Sequence, residues 1–379
     1  MFRRAAAVVA ALVVGVAVLL GGLFAAGVLG VPDAGLEDNA WGEVDDERIE
    51  VVTTVWIDNP NPGLSAGDAA LDYALALNDV RLAEGSKAGI DVPEGNHTTT
   101  LHTDLYYERI PVWWVTHIEN DEVSDLAVEA QTHVSVGPLS GSPTGTHTDT
   151  VETDLEELIA DSLTEMEGEH TASPVELDDG PVTETVEPRV VIEDTDAEWG
   201  AVTEDETELH ATFHVHNPNP YPLATPAFTG DLELNDVPVA AWDAGDAEVL
   251  EGPDDAIILP GETEELTFAI TLDNDRVAEW FATHVDADER SVVAFTAQLA
   301  VSVNGHTVTV PADGEAVRCT YEMQTAIFVD QESGLEREGC ALAPWLLSGE
   351  DLERVGATID LLETDWWEGL LVGVLEPAS

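Results

Sequence analysis

Leu209-His210-Ala211-Thr212-Phe213-His214-Val215-His216-Asn217-Pro218-Asn219-Pro220 decides the fold, because the chain carries an earlier copy of it. A β-branched run over 49–57 ends on Asn59-Pro60-Asn61-Pro62, at an offset of 217 − 59 = 158 residues. Period-2 or continuous β-branched runs read as strands. Proline then stops the ladder. It lacks the amide proton and pushes each preceding Asn toward extended geometry, so two Asn-Pro steps force an unpaired turn at the strand end. The motif reads as structural punctuation.

Working outward, the copy extends in both directions. Trp41-Gly42-Glu43-Val44 and Trp199-Gly200-Ala201-Val202 share the 158-residue offset with no gap. Leu77-Asn78-Asp79-Val80 matches Leu234-Asn235-Asp236-Val237, and Trp113 with His117 matches Trp280 with His284. Ala130-Gln131 and Val134-Ser135-Val136 match Ala297-Gln298 and Val301-Ser302-Val303. Order is kept throughout, so one unit of roughly 100 residues occurs twice.

Inside each unit Leu71, Tyr73, Leu75 and Leu77, or Phe228, Leu232 and Leu234, alternate toward one face. Asn78-Asp79 and Asn235-Asp236 then read as two-residue hairpin turns. Polar turns at Glu94-Gly95 and Pro260-Gly261 precede strands over 98–103 and 265–272, and the last strands fall at 126–136 and 292–303. One helix interrupts each meander. Ile110, Trp113, Trp114 and His117, like Val277, Trp280, Phe281 and His284, fall at i, i+3, i+4 and i+7, with Pro111 suited to a first turn. Residues 154–169 place Leu155, Leu158, Ile159 and Met166 on one stripe of a further amphipathic helix, and an acidic, Pro-bearing connector follows over 169–188.

A strand closed by Asn-Pro-Asn-Pro, a Leu-Asn-Asp-Val hairpin and a late helix resemble the water stress and hypersensitive response domain, the type 2 late embryogenesis abundant family. The resemblance covers about 41–136 and 199–303. It implies a fibronectin-like or immunoglobulin-like fold with one helix, a role in desiccation or stress tolerance, and no catalytic residues. The tandem copies and the apolar N-terminus depart from the simplest single-domain members.

Composition bounds the rest. The chain has 77 acidic and 12 basic residues, a net charge of −65, and Lys87 is its single lysine. With 44% hydrophobic residues and ten Trp it can still build cores, so the acids read as a hydrated surface rather than as disorder. Molar salt shortens the Debye length to a few ångströms and removes most of the self-repulsion, which points to a salt-adapted, halophilic source. Nucleic acid is excluded as a partner for want of basic patches.

Residues 5–31 carry no charge and follow Arg3 and Arg4, which reads as a membrane anchor with the N-terminus cytoplasmic and the bulk of the chain outside. A cleaved secretory leader is the competing reading, but the apolar run exceeds the usual leader core. Cys319 and Cys340 suit one disulfide in that compartment. Asn96-His97-Thr98 is a glycosylation sequon. Glu363-Thr364-Asp365 echoes Glu152-Thr153-Asp154 at an offset of 211, which implies an insert of 211 − 167 = 44 residues holding both cysteines.

The expected fold class is therefore mainly β: two tandem fibronectin/immunoglobulin-like β-sandwiches, each with one α-helix, after an N-terminal transmembrane helix. The expected boundaries are 1–31 for stub and anchor, 32–150 and 189–311 for the sandwiches, 151–188 for helix and connector, and 312–379 for a C-terminal insert and terminal helix.

No Gly-rich phosphate loop, GxSxG elbow or HExxH occurs. His117 and His284 read as core histidines bonded to backbone, and His214 with His216 lack counterparts, since Trp56 and Asp58 stand there in the first unit. The acidic loops 254–255 and 286–289 lack the alternating oxygens of a calcium site. No catalytic residue, cofactor or metal is expected. Two functions remain: stress or envelope protection at the outer membrane face, or an extracytoplasmic binding module for a lipid, a glycan or another envelope protein. The second requires exposed aromatics near Trp113-Trp114 or Trp366-Trp367, the latter pair being either an interfacial return to the membrane or a helix packed on the second domain.

Overall fold

A computed structural model describes residues 33–44, 48–59, 69–90, 95–136, 139–141, 144–179, 182–243, 247–253, 257–303, 306–329 and 331–344. The apolar run 5–31, Pro60-Asn61-Pro62 and Trp366-Trp367 lie outside these residues. Among the described residues no helix is long and apolar enough to cross a membrane. The molecule is mainly β, with antiparallel sheets.

Contacts divide the chain into two units. Unit 1 comprises Met1–Thr153, Asn274–Ser291 and Met323–Leu335, and unit 2 comprises Asp154–Asp273, Val292–Glu322 and Glu336–Ser379. The division does not follow the repeat: the second repeat's helix belongs to unit 1.

In unit 1 the strands are β1 (Asp33–Val44), β2 (Arg48–Asn59), β3 (Ala69–Leu77), β4 (Val80–Ile90), β5 (Gly95–Tyr106), β6 (Val123–Val136), β7 (Leu139–Gly141) and β8 (Thr144–Glu152), with helix α1 (Ile110–Ile118) after β5. The sheet runs β1-β2-β5-β4-β3-β6-β7, and β8 also pairs with β6. Its middle seam is thin, because β4 and β5 pair only at Ala83↔Leu105 and Glu84↔Asp104. The seam separates a β1-β2-β5 leaf from a β4-β3-β6-β8 leaf. Each leaf buries apolar residues, among them Ile49, Val51, Leu101 and Leu105 on the first and Leu75, Leu77, Leu82, Leu126 and Val151 on the second.

Unit 2 contains α2 (Leu155–Thr164) and strands β9 (Gly168–Thr171), β10 (Val175–Asp179), β11 (Val182–Val186), β12 (Arg189–Val202), β13 (Glu206–His216), β14 (Leu223–Leu234), β15 (Val237–Trp242), β16 (Glu248–Glu251), β17 (Ile257–Ile258) and β18 (Thr263–Asp273). After α3 (Asn274–Asp286), a unit 1 element, the chain continues through β19 (Arg290–Val303), β20 (His306–Val310), β21 (Glu315–Gln324) and β22 (Gly334–Pro344). Besides the two-stranded β10-β11 sheet, two larger sheets result, β16-β18-β13-β12-β9 and β15-β14-β19-β21-β22. They meet through aromatic rings. Phe213 of β13 lies 5.0 Å from Phe228 of β14, and Phe268 of β18 lies 5.5 Å from the same ring. Trp242 of β15 and Phe295 of β19 extend the layer at 6.0 Å. Such rings bury large apolar areas in the core between these sheets.

Strand register repeats with the sequence. Trp41↔Val51 and Val44↔Ile49 flank an irregularity in the β1–β2 pair, and Trp199↔Leu209 and Val202↔Thr207 flank one at the same offset of 158. Arg48↔Tyr106 likewise matches Glu206↔Asp273. The Trp-Gly step has a steric reason: a Cβ on Gly200 would sit 2.3 Å from the His210 ring, and one on Gly42 would meet Glu50 and Val52. Both hairpins turn where expected, with Asn78 and Asp79 at φ 47 and 65 and Asn235 and Asp236 at φ 50 and 62. Positive φ at both central residues matches the twist of the flanking strands.

Cys319 and Cys340 form a disulfide. It joins β21 to β22, neighbours in one sheet. Next to it, Tyr321 donates to Asp161 Oδ2 at 2.9 Å, and Arg337 bridges Asp161 and Glu165, tying α2 to these strands.

Gly230 gives the sharpest steric test of unit 2. A Cβ there would lie 2.1 Å from the Thr296 carbonyl oxygen and 2.6 Å from the Trp242 ring. Gly230→Ala is expected to cost about 1–3 kcal/mol by overpacking. Thermal melts of the wild-type and variant chains in concentrated salt check this, and equal midpoints would refute the packing argument.

Candidate functional site

The repeated Trp and His converge on the clearest polar constellation of the molecule, which occurs twice and lies wholly in unit 1. Pro near the start of α1 leaves no intrahelical bond unmade, and the apolar stripe of the helix buries Ile110, Trp113, Trp114, His117 and Ile118. The chain then turns sharply at Asp121 and Glu122, with φ 53 and 57, and enters β6. The second copy turns at Asp288 and Glu289, with φ 56 and 60, and enters β19. Each turn aims one serine of the following strand back at the helix.

The hydrogen bonds form an ordered chain. Trp113 Nε1 donates to Ser124 Oγ at 2.8 Å. Thr153 Oγ1 donates to Glu122 Oε2 at 2.6 Å, so it must accept from His117 Nε2, 2.9 Å away. That assigns the His117 proton to Nε2 and leaves Nδ1 to accept from Ser124 Oγ at 2.8 Å. The second copy repeats every link. Trp280 Nε1 donates to Ser291 Oγ at 2.8 Å, Ser291 Oγ donates to His284 Nδ1 at 2.8 Å, and His284 Nε2 donates to Thr325 Oγ1 at 2.8 Å. Thr325 Oγ1 in turn donates to Glu289 Oε2 at 3.3 Å.

Burial decides what this arrangement can do. His117 is 0% and His284 1% exposed, Ser124 0% and Ser291 1%. Desolvation pushes both imidazoles down to about 4, so both are neutral near pH 7. A serine beside an imidazole suggests a nucleophile and its base, but here the serine proton is committed to the ring and no face of it is open. The histidines were expected to bond backbone. Side-chain hydroxyls hold both, and His284 also meets the backbone of Arg290.

Glu289 carries a second load. Its carboxylate accepts from the backbone N–H of Ile327, Phe328 and Val329 at 2.6, 2.7 and 2.9 Å. Burial raises its pKa, and those amides pull the other way. Glu289 is therefore a buried anchor for the segment after β21, while residues 286–288 beside it are exposed. Phe328 of that segment packs edge-on against Trp41 at 4.8 Å.

The two helices meet reciprocally inside unit 1. Trp113 contacts Phe281 at 5.5 Å, and Trp114 contacts Trp280 at 6.3 Å. Trp113 and Trp280 are repeat equivalents, as are Trp114 and Phe281, so position i meets j′ and j meets i′. That is the self-complementary pattern of a two-fold interface, formed within one chain. Trp113 and Trp114 are 3% and 1% exposed and present no aromatic patch.

Asn217-Pro218-Asn219-Pro220 shows how its amides replace a ladder that proline cannot continue. Asn217 is 0% exposed and donates from Nδ2 to the carbonyls of Tyr221 and Ile258 at 2.9 and 2.8 Å. Its Oδ1 accepts from Asn219 N at 3.0 Å. Asn219 then pairs both ways with the backbone of Arg189, accepting its N–H at 3.0 Å and donating to its carbonyl at 2.6 Å. In unit 1 Asn59 ends β2 opposite Gly95, and the rest of that motif lies outside the described residues.

The network also corrects an alignment. Thr325 holds for His284 the place that Thr153 holds for His117, and Thr325 N bonds Glu289 O as Thr153 N bonds Glu122 O, both at 3.1 Å. The offset is 325 − 153 = 172, which is 5 more than 167 rather than 44. Glu363-Thr364-Asp365 is thus not the counterpart, and Cys319 lies on a strand of the repeat, not in an insert. Acidic-threonine triplets recur by chance in so acidic a chain.

The remaining histidines do not converge. His214 faces Glu265 at 3.5 Å and His216 meets Thr263 at 3.1 Å. His102 meets Glu50 at 2.8 Å, His170 donates to Met166 O, and His306 to Glu176 O. His97, His133 and His147 lie on strands. Among the described residues no three His, Cys, Asp or Glu side chains are grouped to hold a metal ion. Asn96 is exposed at the start of β5.

No family model and no curated protein matches the chain. Several solved structures are partly similar, two of them as follows. A protein from Archaeoglobus fulgidus matches at TM-score 0.27 and 23% identity, over 33% of this chain and 98% of that one. Red sea bream transglutaminase matches at TM-score 0.16 and 12% identity, over 73% of this chain and 31% of that one. At these scores neither likeness carries a fold or a function across.

The buried histidines set a pH dependence. Their folded pKa lies below the unfolded value, so as pH falls from about 6.5 to about 4 the unfolded chain takes up protons that the folded chain refuses. Stability is full above that window and falls through it, by on the order of 3 kcal/mol per histidine. Glu289, with its raised pKa, acts in the opposite sense, adding stability on acidification. Denaturant melts between pH 7 and pH 4 in concentrated salt, compared with a His117→Asn, His284→Asn chain, are expected to show the slope in the wild type alone. An equal slope in both would refute burial as its cause.

Proposed function

We propose that the chain is a non-enzymatic, membrane-anchored tandem protein of the type 2 late embryogenesis abundant kind, protecting the cell envelope during drying or salt stress. On this reading 5–31 anchor the chain, the bulk of it lies outside the cell, and each repeat is a fibronectin-like module.

One observation carries the non-catalytic part. The residues that the duplication keeps (Trp113, His117, Glu122 and Ser124, with Trp280, His284, Glu289 and Ser291) spend their hydrogen bonds on one another inside the core. Duplication kept what builds the module. A disulfide fits an oxidising compartment outside the cell. The binding-module alternative needs an exposed patch or pocket near Trp113-Trp114 or Trp366-Trp367; the first pair is buried, and the second lies outside the described residues.

The charge of −65 sets the working medium. At low ionic strength the acidic surface repels itself, and salt screens that repulsion while a neutral osmolyte does not. Tryptophan fluorescence is expected to report unfolding on dilution of salt and refolding on its return, with sucrose at equal osmolality failing to substitute. Full folding in sucrose alone would remove the electrostatic account.

The function itself is tested by a deletion strain compared with its parent under drying and salt downshift. Lower survival or a leaky envelope in the deletion strain is expected. Indistinguishable strains would sink the protective role.

A further inference from the structure

We propose that the face shared by α1 and α3 is a homotypic docking surface whose partner is the matching repeat, supplied either by the same chain or by a second copy of it.

The contacts have the form of a two-fold interface. Trp113 meets Phe281 and Trp114 meets Trp280, and none of the four rings is more than 3% exposed. A second pair of contacts obeys the same exchange. Phe328 lies three residues past Thr325 and packs at 4.8 Å on Trp41, the Trp of the first repeat. Glu156 lies three residues past Thr153, and its Oε2 accepts at 3.1 Å from the backbone N–H of Trp199, the Trp of the second repeat. The offsets agree, since 328 − 156 = 172, like 325 − 153, and 199 − 41 = 158. The segment that trails each repeat therefore contacts the opening strand of the other. Phe328 does so within unit 1, and Glu156 within unit 2, where α2 also packs along β12. Pairing of i with j′ and j with i′ is what two identical subunits make across a dyad, and here two repeats of one chain make it.

Connectivity lets a second copy supply the same contacts. Unit 1 is one continuous stretch, Met1–Thr153, completed by Asn274–Ser291 and Met323–Leu335. Both completing pieces reach that stretch along the backbone only through the Thr153–Asp154 link. Thr153 is held by His117 and Glu122, and Asp154, at φ −135 and ψ 46, is the first residue beyond it. A change of dihedrals at this link redirects everything after it, so α3 and residues 325–329 can complete their own unit 1 or that of a neighbour. The hydrogen-bond networks do not oppose the exchange. Trp113, His117, Glu122, Ser124 and Thr153 all precede the link, and Trp280, His284, Glu289, Ser291 and Thr325 all follow it. Ring packing joins the two sets.

The choice between the two forms is then one of concentration. An exchanged pair repeats the contacts of the single chain, so the forms differ by the cost of bringing in a second chain against the effective concentration of a tethered partner. Dilute chains close on themselves, and crowded chains exchange.

The test uses the full chain in ordinary and isotopically heavy form, in detergent and concentrated salt. The two are unfolded together in guanidinium chloride and refolded, once at high concentration and once about a hundred-fold lower. A third sample mixes them after separate refolding. A dihydrazide, which joins carboxyl groups, then links neighbours. Mass spectrometry reads links from Glu108 or Glu119, which flank α1, to Asp275, Glu279 or Asp286 of α3, all of them exposed. Links that join an ordinary to a heavy peptide are expected after concentrated refolding, several-fold fewer after dilute refolding, and none after separate refolding. Mixed links that form as readily between separately folded chains report association of outer surfaces and overturn the proposal. Their absence at every concentration, with tryptophan fluorescence restored, overturns it as well. Where refolding is incomplete, two differently tagged chains made in one cell replace it, and capture of one tag without the other overturns the proposal.

Discussion

Burying an indole N–H without an acceptor is costly, and although Trp41 Nε1 is buried without one, the two equivalent helix tryptophans of unit 1 are each given an acceptor. Trp113 and Trp280 have their rings inside the core, and each finds its acceptor in a serine on the strand that follows its helix. The distance from Trp to Ser is 11 residues in both copies, which fixes how tightly helix, turn and strand must fold back. The serine hydroxyl then needs somewhere to donate, and the histidine one turn further along the helix supplies it. From there the chain of donors passes to a threonine on a distant segment and ends on a carboxylate. Each member is satisfied only while all are, so the network makes the strand carrying the threonine as necessary as the helix itself.

The same logic explains the double Asn-Pro. Proline removes a donor from the end of β13, and a buried strand end with missing partners would be costly. Asn217 and Asn219 replace those partners with side-chain amides, one closing the turn on Ile258 and Tyr221, the other taking both hydrogen bonds of Arg189. Pairing an amide side chain with both groups of one residue imitates a neighbouring strand over a single step. The motif thus ends one strand and positions the next without an open ladder.

Much of this was legible in the sequence, and the limits were physical. Helices announced themselves through the i, i+3, i+4, i+7 spacing of Trp and His, and the Asn-Asp hairpins through the rarity of two adjacent residues that tolerate positive φ. The strand holding Trp41-Gly42, its equivalent over Arg189–Val202, and β15 to β17 were harder. Their patterns are broken by acids and bulges, and their pairing is fixed by cross-strand neighbours far away in sequence. Thr153 lies 36 residues from His117, and its counterpart 41 from His284, so no periodicity links them. Glu289 was hidden by company: among so many solvated carboxylates nothing local marks the one that is buried. Membership of α3 in unit 1 is a matter of tertiary packing alone, which a repeat in the sequence does not encode.

Among the described residues the buried carboxylates are Glu122, 4% exposed, and Glu289, 0% exposed, and they are repeat equivalents 289 − 122 = 167 residues apart. The acidic composition is therefore partitioned. Among the described residues the other acids are exposed or half-buried, where ionic strength governs their cost, and two members are withdrawn to end a hydrogen-bond chain that solvent ions do not reach. Screening and interior satisfaction are then separate constraints on one sequence. A surface that gains or loses acids changes the salt the fold requires. A change at Glu122 or Glu289 instead removes the acceptor on which a threonine, a histidine, a serine and an indole successively depend, whatever the salt. That separation lets a chain become extremely acidic without redesigning its core, and it accounts for two interior networks that are alike link by link beneath surfaces that differ.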